Sequence, residues 1–480
     1  MSISPSIQRS RPEADPRRWP ALAVVLLAVF MDLVDITIVV VSAPTIQADL
    51  GASLAQIQWV MAAYSLALGL LLITGGRLGD IVGRKRVFLA GVALFTLASA
   101  ACGLAPTVEI LIVARTVQGA AAAMMVPQVL STIQVGFPPA ERPKAFGLYG
   151  AVNGIAAAAA PIVGGLLVGN NVFGLEWRSI FWINVPIGLV ALLGAATLLR
   201  ESRSEHRSRL DVAGVFLVTV ALLALLLPLI QGEEWGWPWW GWAAMVGAGV
   251  VLVAFGRHQA RRERGGSALV PVSLFRQRSF LAGLLAALVM FSSIAAFFLV
   301  LTVQLQGGHG FSPLRTGLTF LAWPVGLGVT ANIAVRGAER AGRTLITVGA
   351  VLLAVAMLVV MATIRFTGPD LTTWHLVPGL LLGGAGFGLV APILVDMVLA
   401  AVPVDAAGAA SGVVNTTIQV STAAGIAIIG ALFAAALGDG GQFDHAAQRA
   451  LWYPVAAFTV GALLSRALPA RARPEAGTHA

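Results

Sequence analysis

The 480 residues are 58% hydrophobic and only 11% charged, with a mean hydropathy of +0.86; a soluble domain carries about 25% charge, so a soluble enzyme or scaffold is excluded. The net charge of +9 does not point to nucleic acid, because the arginines sit between apolar runs and not on one basic face. A single cysteine, Cys102 in an apolar run, excludes a disulfide framework and a cysteine metal cluster.

In chain order, the first 20 residues form a polar, basic tail, and the run that follows is longer than a signal-peptide core and lacks a small-residue cleavage site, so it reads as a retained helix. A helix needs about 20 apolar residues to cross a membrane. Fourteen runs approach that length: 21–41, 57–73, 87–104, 110–130, 146–168, 181–199, 212–230, 237–255, 281–305, 317–335, 345–364, 376–399, 412–433 and 451–464. The expected fold is an all-α polytopic membrane protein. With the N-terminus inside, only Arg178, Arg315, Arg365 and Arg449 fall on the outer side and Arg115 within a run, so both termini are expected in the cytoplasm. Polar stretches at 201–209 and 257–278 bracket the seventh and eighth runs. They divide the chain into a tail 1–20, a six-helix bundle 21–199, a linker 200–278 carrying two inserted helices, a second six-helix bundle 279–468 and a tail 469–480. Two similar bundles can rock around a midplane site.

The first run contains two acids, Asp32 and Asp35. Three residues apart on a helix they share a face, about 5–6 Å apart at Cβ. Each costs roughly 2.5–3.5 kcal/mol at a bilayer centre on insertion scales, so both are candidate functional groups.

The second run ends in Gly76-Arg77-Leu78-Gly79-Asp80-Ile81-Val82-Gly83-Arg84-Lys85-Arg86. It resembles the G-x-L-x-D-x-x-G-R-K loop of the major facilitator superfamily, which implies a conformational gate at Gly76, Asp80, Gly83, Arg84 and Lys85. Arg115-Thr116-Val117-Gln118-Gly119 in the fourth run resembles the family's R-x-x-Q-G motif, which gives Arg115 a part in proton coupling with an acid of the first helix as partner. An arginine inside a helix must face carboxylates, carbonyls or water. The fifth run, with Ala156, Ala160, Pro161, Gly164 and Gly165, resembles the antiporter motif G-x-x-x-G-P-x-x-G-G of exporters, with alanines at the first two glycine positions. Trp177 to Gly188, Gln304-Leu305-Gln306, Gly310 to Gly317 and Ala407 to Thr416 are similar to the fourteen-helix drug:proton antiporters of the QacA and EmrB type. Val34 to Pro44 follows that group's L-D-x-T-I-V-N-V-A-L-P, with Val40 in place of the usual asparagine.

The resemblance makes Asp35 the coupling acid and leaves Asp32 outside the motif, either a second site for proton or cation or a residue that helps water in. Asp396 stands near the inner end of the twelfth run, either facing the lumen as a proton or cation site or merely solvated there. Candidate pocket walls are Trp59, Tyr64, Trp182, Phe297, Phe298, Trp323 and Phe387, whose rings can stack on planar cations, together with Asp32, Asp35 and Asp396. The six histidines, including His258, His309, His375 and His445, are read in loops or tails, so no histidine relay and no metal site is expected. There is no G-x-x-x-x-G-K-[ST] loop, so ATP is not expected as the energy source; the resemblance implies a proton gradient as the energy source and no cofactor.

The resemblance implies a non-enzymatic, proton-coupled exporter of lipophilic, cationic drugs or toxic compounds, working as a monomer in a bacterial inner membrane, with a small molecule, protons and the lipid bilayer as its partners. The alternatives are an exporter of an endogenous metabolite or lipid-like compound and, from another class, a non-transporting receptor or scaffold.

Overall fold

A computed structural model describes residues 16–138, 140–171, 174–203, 210–264, 268, 270–400, 402, 407–437 and 442–468. Among these the chain is helical: α1 Arg18–Leu50, α2 Leu54–Val82, α3 Arg84–Gly103, α4 Val108–Gly136, α5 Arg142–Gly169, α6 Ser179–Trp182, α7 Asn184–Leu198, α8 Val212–Gln231, α9 Trp239–Arg264, α10 Arg278–Val303, α11 Pro313–Phe320, α12 Ala322–Thr367, α13 Thr373–Ala400, α14 Ala407–Leu437 and α15 Phe443–Leu464. Every apolar run falls on helix. Twelve helical segments are long and apolar enough to cross a membrane, and the tenth and fourteenth runs, within α11–α12 and α15, complete the set.

Local chemistry sets the ends. Ser53 caps α2 by accepting from the Gln56 amide at 3.1 Å, while the Gln56 side chain accepts from the Ser53 amide at 2.9 Å, a reciprocal pair that satisfies two orphan donors. Ser312 caps α11 ahead of Pro313, whose missing N–H is harmless in a first turn.

Two boundaries differ from the sequence reading. The tenth and eleventh runs form one continuous helical stretch, α12, broken only at Ala341, whose backbone (φ −141°, ψ 28°) leaves the helical region. Gly337 lies against Leu345, eight residues on and about 12 Å away along a straight helix, so the chain reverses there in one residue beside Gly342. Helices also overrun their apolar windows: α9 continues past Phe255 to Arg264, which places His258 on a helix, and His375 and His445 open α13 and α15. Apolarity ends at the bilayer surface, whereas backbone hydrogen bonding continues into polar flanks.

The hydrophobic interior divides largely by bundle, with Val41 joining the C-terminal cluster and Leu299 and Ile426 one of the N-terminal ones. One cluster is built on Phe280, Phe297, Trp323, Leu353, Leu394 and Phe458 of the C-terminal helices, and two on Leu22, Phe88 and Phe95 and on Ile38, Leu111 and Phe181 of the N-terminal helices. The halves meet most extensively along two seams. On α2·α14 the Thr416 hydroxyl donates to the Gly69 carbonyl at 2.9 Å, and on α5·α11 Gly165 lies against Leu314 and Gly317 against the Pro161 carbonyl. Small residues at both seams let backbones approach where lipid offers no hydrophobic drive to association. Inserted α8 packs Leu222, Leu226 and Ile230 on α2 and α14, in a cluster with Ala62, Leu66, Ala423 and Ala427.

Candidate functional site

Asp32 and Asp35 are both buried on α1, at 4% and 0% exposure, and share a face. Their partners differ. Asp35 forms an ion pair with Arg115 Nη1, and its Oδ1 accepts from Gln118 Nε2 at 2.9 Å and Asn184 Nδ2 at 2.7 Å. Asp32 accepts from the Tyr64 hydroxyl.

The backbone explains why these groups meet. The Tyr64 carbonyl of α2 lies where a Cβ on Gly119 would stand, and the Ala123 carbonyl of α4 does the same at Gly75. This close α2–α4 crossing brings the Val60 carbonyl to Arg115 Nε (3.3 Å) and the Tyr64 ring under the guanidinium, 4.2 Å from Cζ to the centroid. Arg115 Nη1 also donates to Gln118 Oε1 at 2.7 Å. Its charge is thus met by one carboxylate, two oxygens and a ring face, with 1% of the residue exposed. Burying an arginine without such partners is prohibitive. Asn184 extends the network to the Ser99 hydroxyl at 2.9 Å, which donates to the Phe181 carbonyl at 2.9 Å.

Gln118 and Asn184 lie inside the motifs without a role read from them, and nothing in the motifs points to Ser99. A signal existed for two of them: Gln118 is three residues from Arg115 and so on its face, and Asn184 is a polar residue inside an apolar helix.

The other candidates scatter. Phe297, Phe298, Trp323 and Phe387 form one aromatic wall in the second bundle, with Phe298–Trp323 centroids at 5.1 Å and Trp323–Phe387 at 6.2 Å. Phe298 also borders the cluster of Val34 and Ile38, so the wall abuts α1. Trp59 packs with α8 in the Leu222 cluster, away from the acids, and Trp182 packs against Gly103. Asp396 is exposed on α13 and does not join the network. Pro161, Gly164 and Gly165 sit where α5 meets Ile38 of α1 and Leu314 of α11.

At the opposite end of α2, Asp80 pairs with Arg84 at 2.9 Å. Gly76 packs on Pro127, and Gly83 takes φ +120° with the Glu201 carboxylate where its side chain would be, a conformation that glycine alone adopts cheaply. Glu201 accepts from the Lys85 amide at 3.2 Å and pairs with Arg86 at 3.6 Å, while Lys85 Nζ donates to the Ala196 carbonyl at 2.6 Å. The insert docks beside this turn, with Arg77 donating to the Ala268 carbonyl. Among the described residues no group of three or more His, Cys, Asp or Glu could hold a metal ion.

Residues 25–426 match the family model of the Major Facilitator Superfamily. The chain belongs to the major facilitator superfamily. As a member it is a multi-pass membrane transporter and not an enzyme. It is 44% identical over 439 residues to the "Probable actinorhodin transporter" of Streptomyces coelicolor, covering 90% of this chain and 76% of that one. It is 37% identical to the "Tetracenomycin C resistance and export protein" of Streptomyces glaucescens, covering 88% and 77%. It is also 37% identical to the "Puromycin resistance protein pur8" of Streptomyces alboniger, covering 95% and 91%. A solved POT family transporter in complex with 5-aminolevulinic acid superposes with a TM-score of 0.67 over 93% of this chain and 94% of that one; at 12% identity this likeness concerns the fold alone.

Proposed function

We propose that this transporter exports lipophilic, cationic drugs or toxic compounds in exchange for protons. The observation that carries the reading is the buried trio of Asp35, Arg115 and Asp32. Its formal charges sum to one negative. Leaving a net charge uncompensated in a low-dielectric interior is costly, so a proton or a substrate cation neutralises the trio, and the two compete. Asp35 holds Arg115 in place, and Asp32, with a single donor in Tyr64, is the carboxylate that receives the exchanging cation. The aromatic wall of Phe298, Trp323 and Phe387 supplies ring faces for a planar substrate. The halves rock about the α2·α14 and α5·α11 seams, latched by the Asp80 turn.

The distribution of arginines puts both termini in the cytoplasm, so substrate leaves toward the Asp49 end of α1. The protein works as a monomer in a bacterial cell membrane, driven by the proton gradient with no cofactor. Names of resistance and export proteins among the relatives support an outward direction. A second reading, export of one endogenous metabolite or lipid-like compound, is favoured by the relative named for actinorhodin alone; a substrate panel in a pump-deleted host separates the two.

The test is dye transport in everted vesicles. Asp35→Asn should reduce gradient-driven dye movement to background, with expression in the membrane retained. Wild-type rates in that variant would overturn the proposal.

A further inference from the structure

A groove of about 670 Å³ lies between α11–α12 and the start of α13, outside the site described above. Its length is apolar: Leu318 and Val325 on one wall and Val377 and Leu381 on the other, with Leu318 46% and Val325 58% exposed. Its mouth is not. Arg315 is exposed there, and its guanidinium lies 3.6 Å from the centroid of Phe311. Among the described residues it has no carboxylate partner. Trp374, 79% exposed, stands at the same mouth on the first turn of α13. Exposed tryptophan and arginine at a helix end mark headgroup depth in a bilayer.

We propose that this groove seats an anionic phospholipid, with its acyl chain along Leu318, Val325 and Leu381 and its phosphate against Arg315. Charge complementarity decides the occupant: a guanidinium at headgroup depth with no carboxylate partner among the described residues, above an apolar slot, matches a phosphate above an acyl chain, and a neutral apolar ligand brings no counter-charge. The volume is within the usual range for a small-molecule site. The position gives the lipid leverage, because Leu314 lines the groove and also touches Gly165 across the α5·α11 seam. The bound lipid therefore borders a contact between the two bundles.

The experiment is native mass spectrometry of the full-length protein, released from detergent after titration with phosphatidylglycerol or with phosphatidylcholine of the same chains. Phosphatidylglycerol adducts should exceed phosphatidylcholine adducts. Arg315→Gln should weaken phosphatidylglycerol binding about fivefold, the order expected for one basic residue at an anionic lipid, and Arg315→Lys should retain most of it. Leu318→Trp, which fills the slot, should reduce both adducts. Equal binding of the two lipids, or Arg315→Gln binding indistinguishable from wild type, overturns the headgroup assignment. Unchanged binding in Leu318→Trp overturns the groove as the seat.

Discussion

A carboxylate that accepts three bonds and one that accepts a single bond do different work, although both sit on one helix face. Asp35 is held by Arg115, Gln118 and Asn184, so its removal strands a buried guanidinium. Among the described residues Asp32 has only the Tyr64 hydroxyl. Asp32→Asn is therefore expected to preserve folding while slowing the export of cationic substrates by about tenfold, one unit on the affinity scale, and removing the pH dependence of that export; wild-type kinetics and pH profile in the variant would refute the assignment. The pairing of Asp35 with Arg115 was legible in the sequence, because each belongs to a recognisable motif and an intramembrane charge demands its opposite. The Tyr64 hydroxyl was legible only as a ring. Its role as donor, and that of Asn184, depends on helices that the chain brings together over 32 and 149 residues of separation, which no local pattern encodes.

Among the elements, the inserted pair is tied down by a charged hub. Asp211, the N-cap of α8, is buried and accepts from His258 at 2.8 Å, Gln259 at 2.7 Å and the Gly214 amide at 3.0 Å. Burial alone would raise its carboxyl, but these donors outweigh it and hold the group below the usual carboxylate range. A depressed acid stabilises the fold above its unfolded value of about 4, and that contribution is lost as pH falls through the folded one. Asp211→Ala should remove about 2–3 kcal/mol, the order for hydrogen bonds to a buried charge, and should flatten the acid limb of a thermal-unfolding profile between about pH 5 and pH 3. An unaltered acid limb would show that the hub does not stabilise the insert. The apolar runs announced these helices, and hydropathy placed their membrane portions well. It could not see that α9 continues as a polar helix far enough to deliver His258 and Gln259 to Asp211, nor that Ala341 alone reverses α12.

Across the whole molecule, contact between the halves is uneven along α5. Near its far end Gly165 meets Leu314 of the other half, whereas among the described residues nothing lies within 4 Å of where a Cβ would stand on Gly147, Gly150 or Gly154. The halves are thus in contact at the Gly165 end of α5, and the Gly147, Gly150 and Gly154 positions at its other end are exposed. With Cys102 replaced by serine, a Gly169→Cys, Leu314→Cys pair, whose Cβ atoms would stand 3.6 Å apart and so within disulfide reach, should cross-link on oxidation, stop transport, and recover with reductant; cross-linked protein that transports at full rate would show that this contact need not open. Sequence reading anticipated two bundles from the repeat of runs and linkers, but not which glycines touch, since packing partners are a property of the assembled halves.

The placement of α8 has a consequence for traffic through the bilayer. By lying over α2 and α14, the insert shutters one flank of the transporter, while the other flank leaves Ile155 and Leu166 of α5 open to lipid. The molecule thus has a front and a back in the membrane plane. For a greasy compound dissolved in the bilayer the α5 flank is the side left uncovered, and Gly147, Gly150 and Gly154, where a Cβ would meet open space, are the residues to vary when asking whether such compounds enter there.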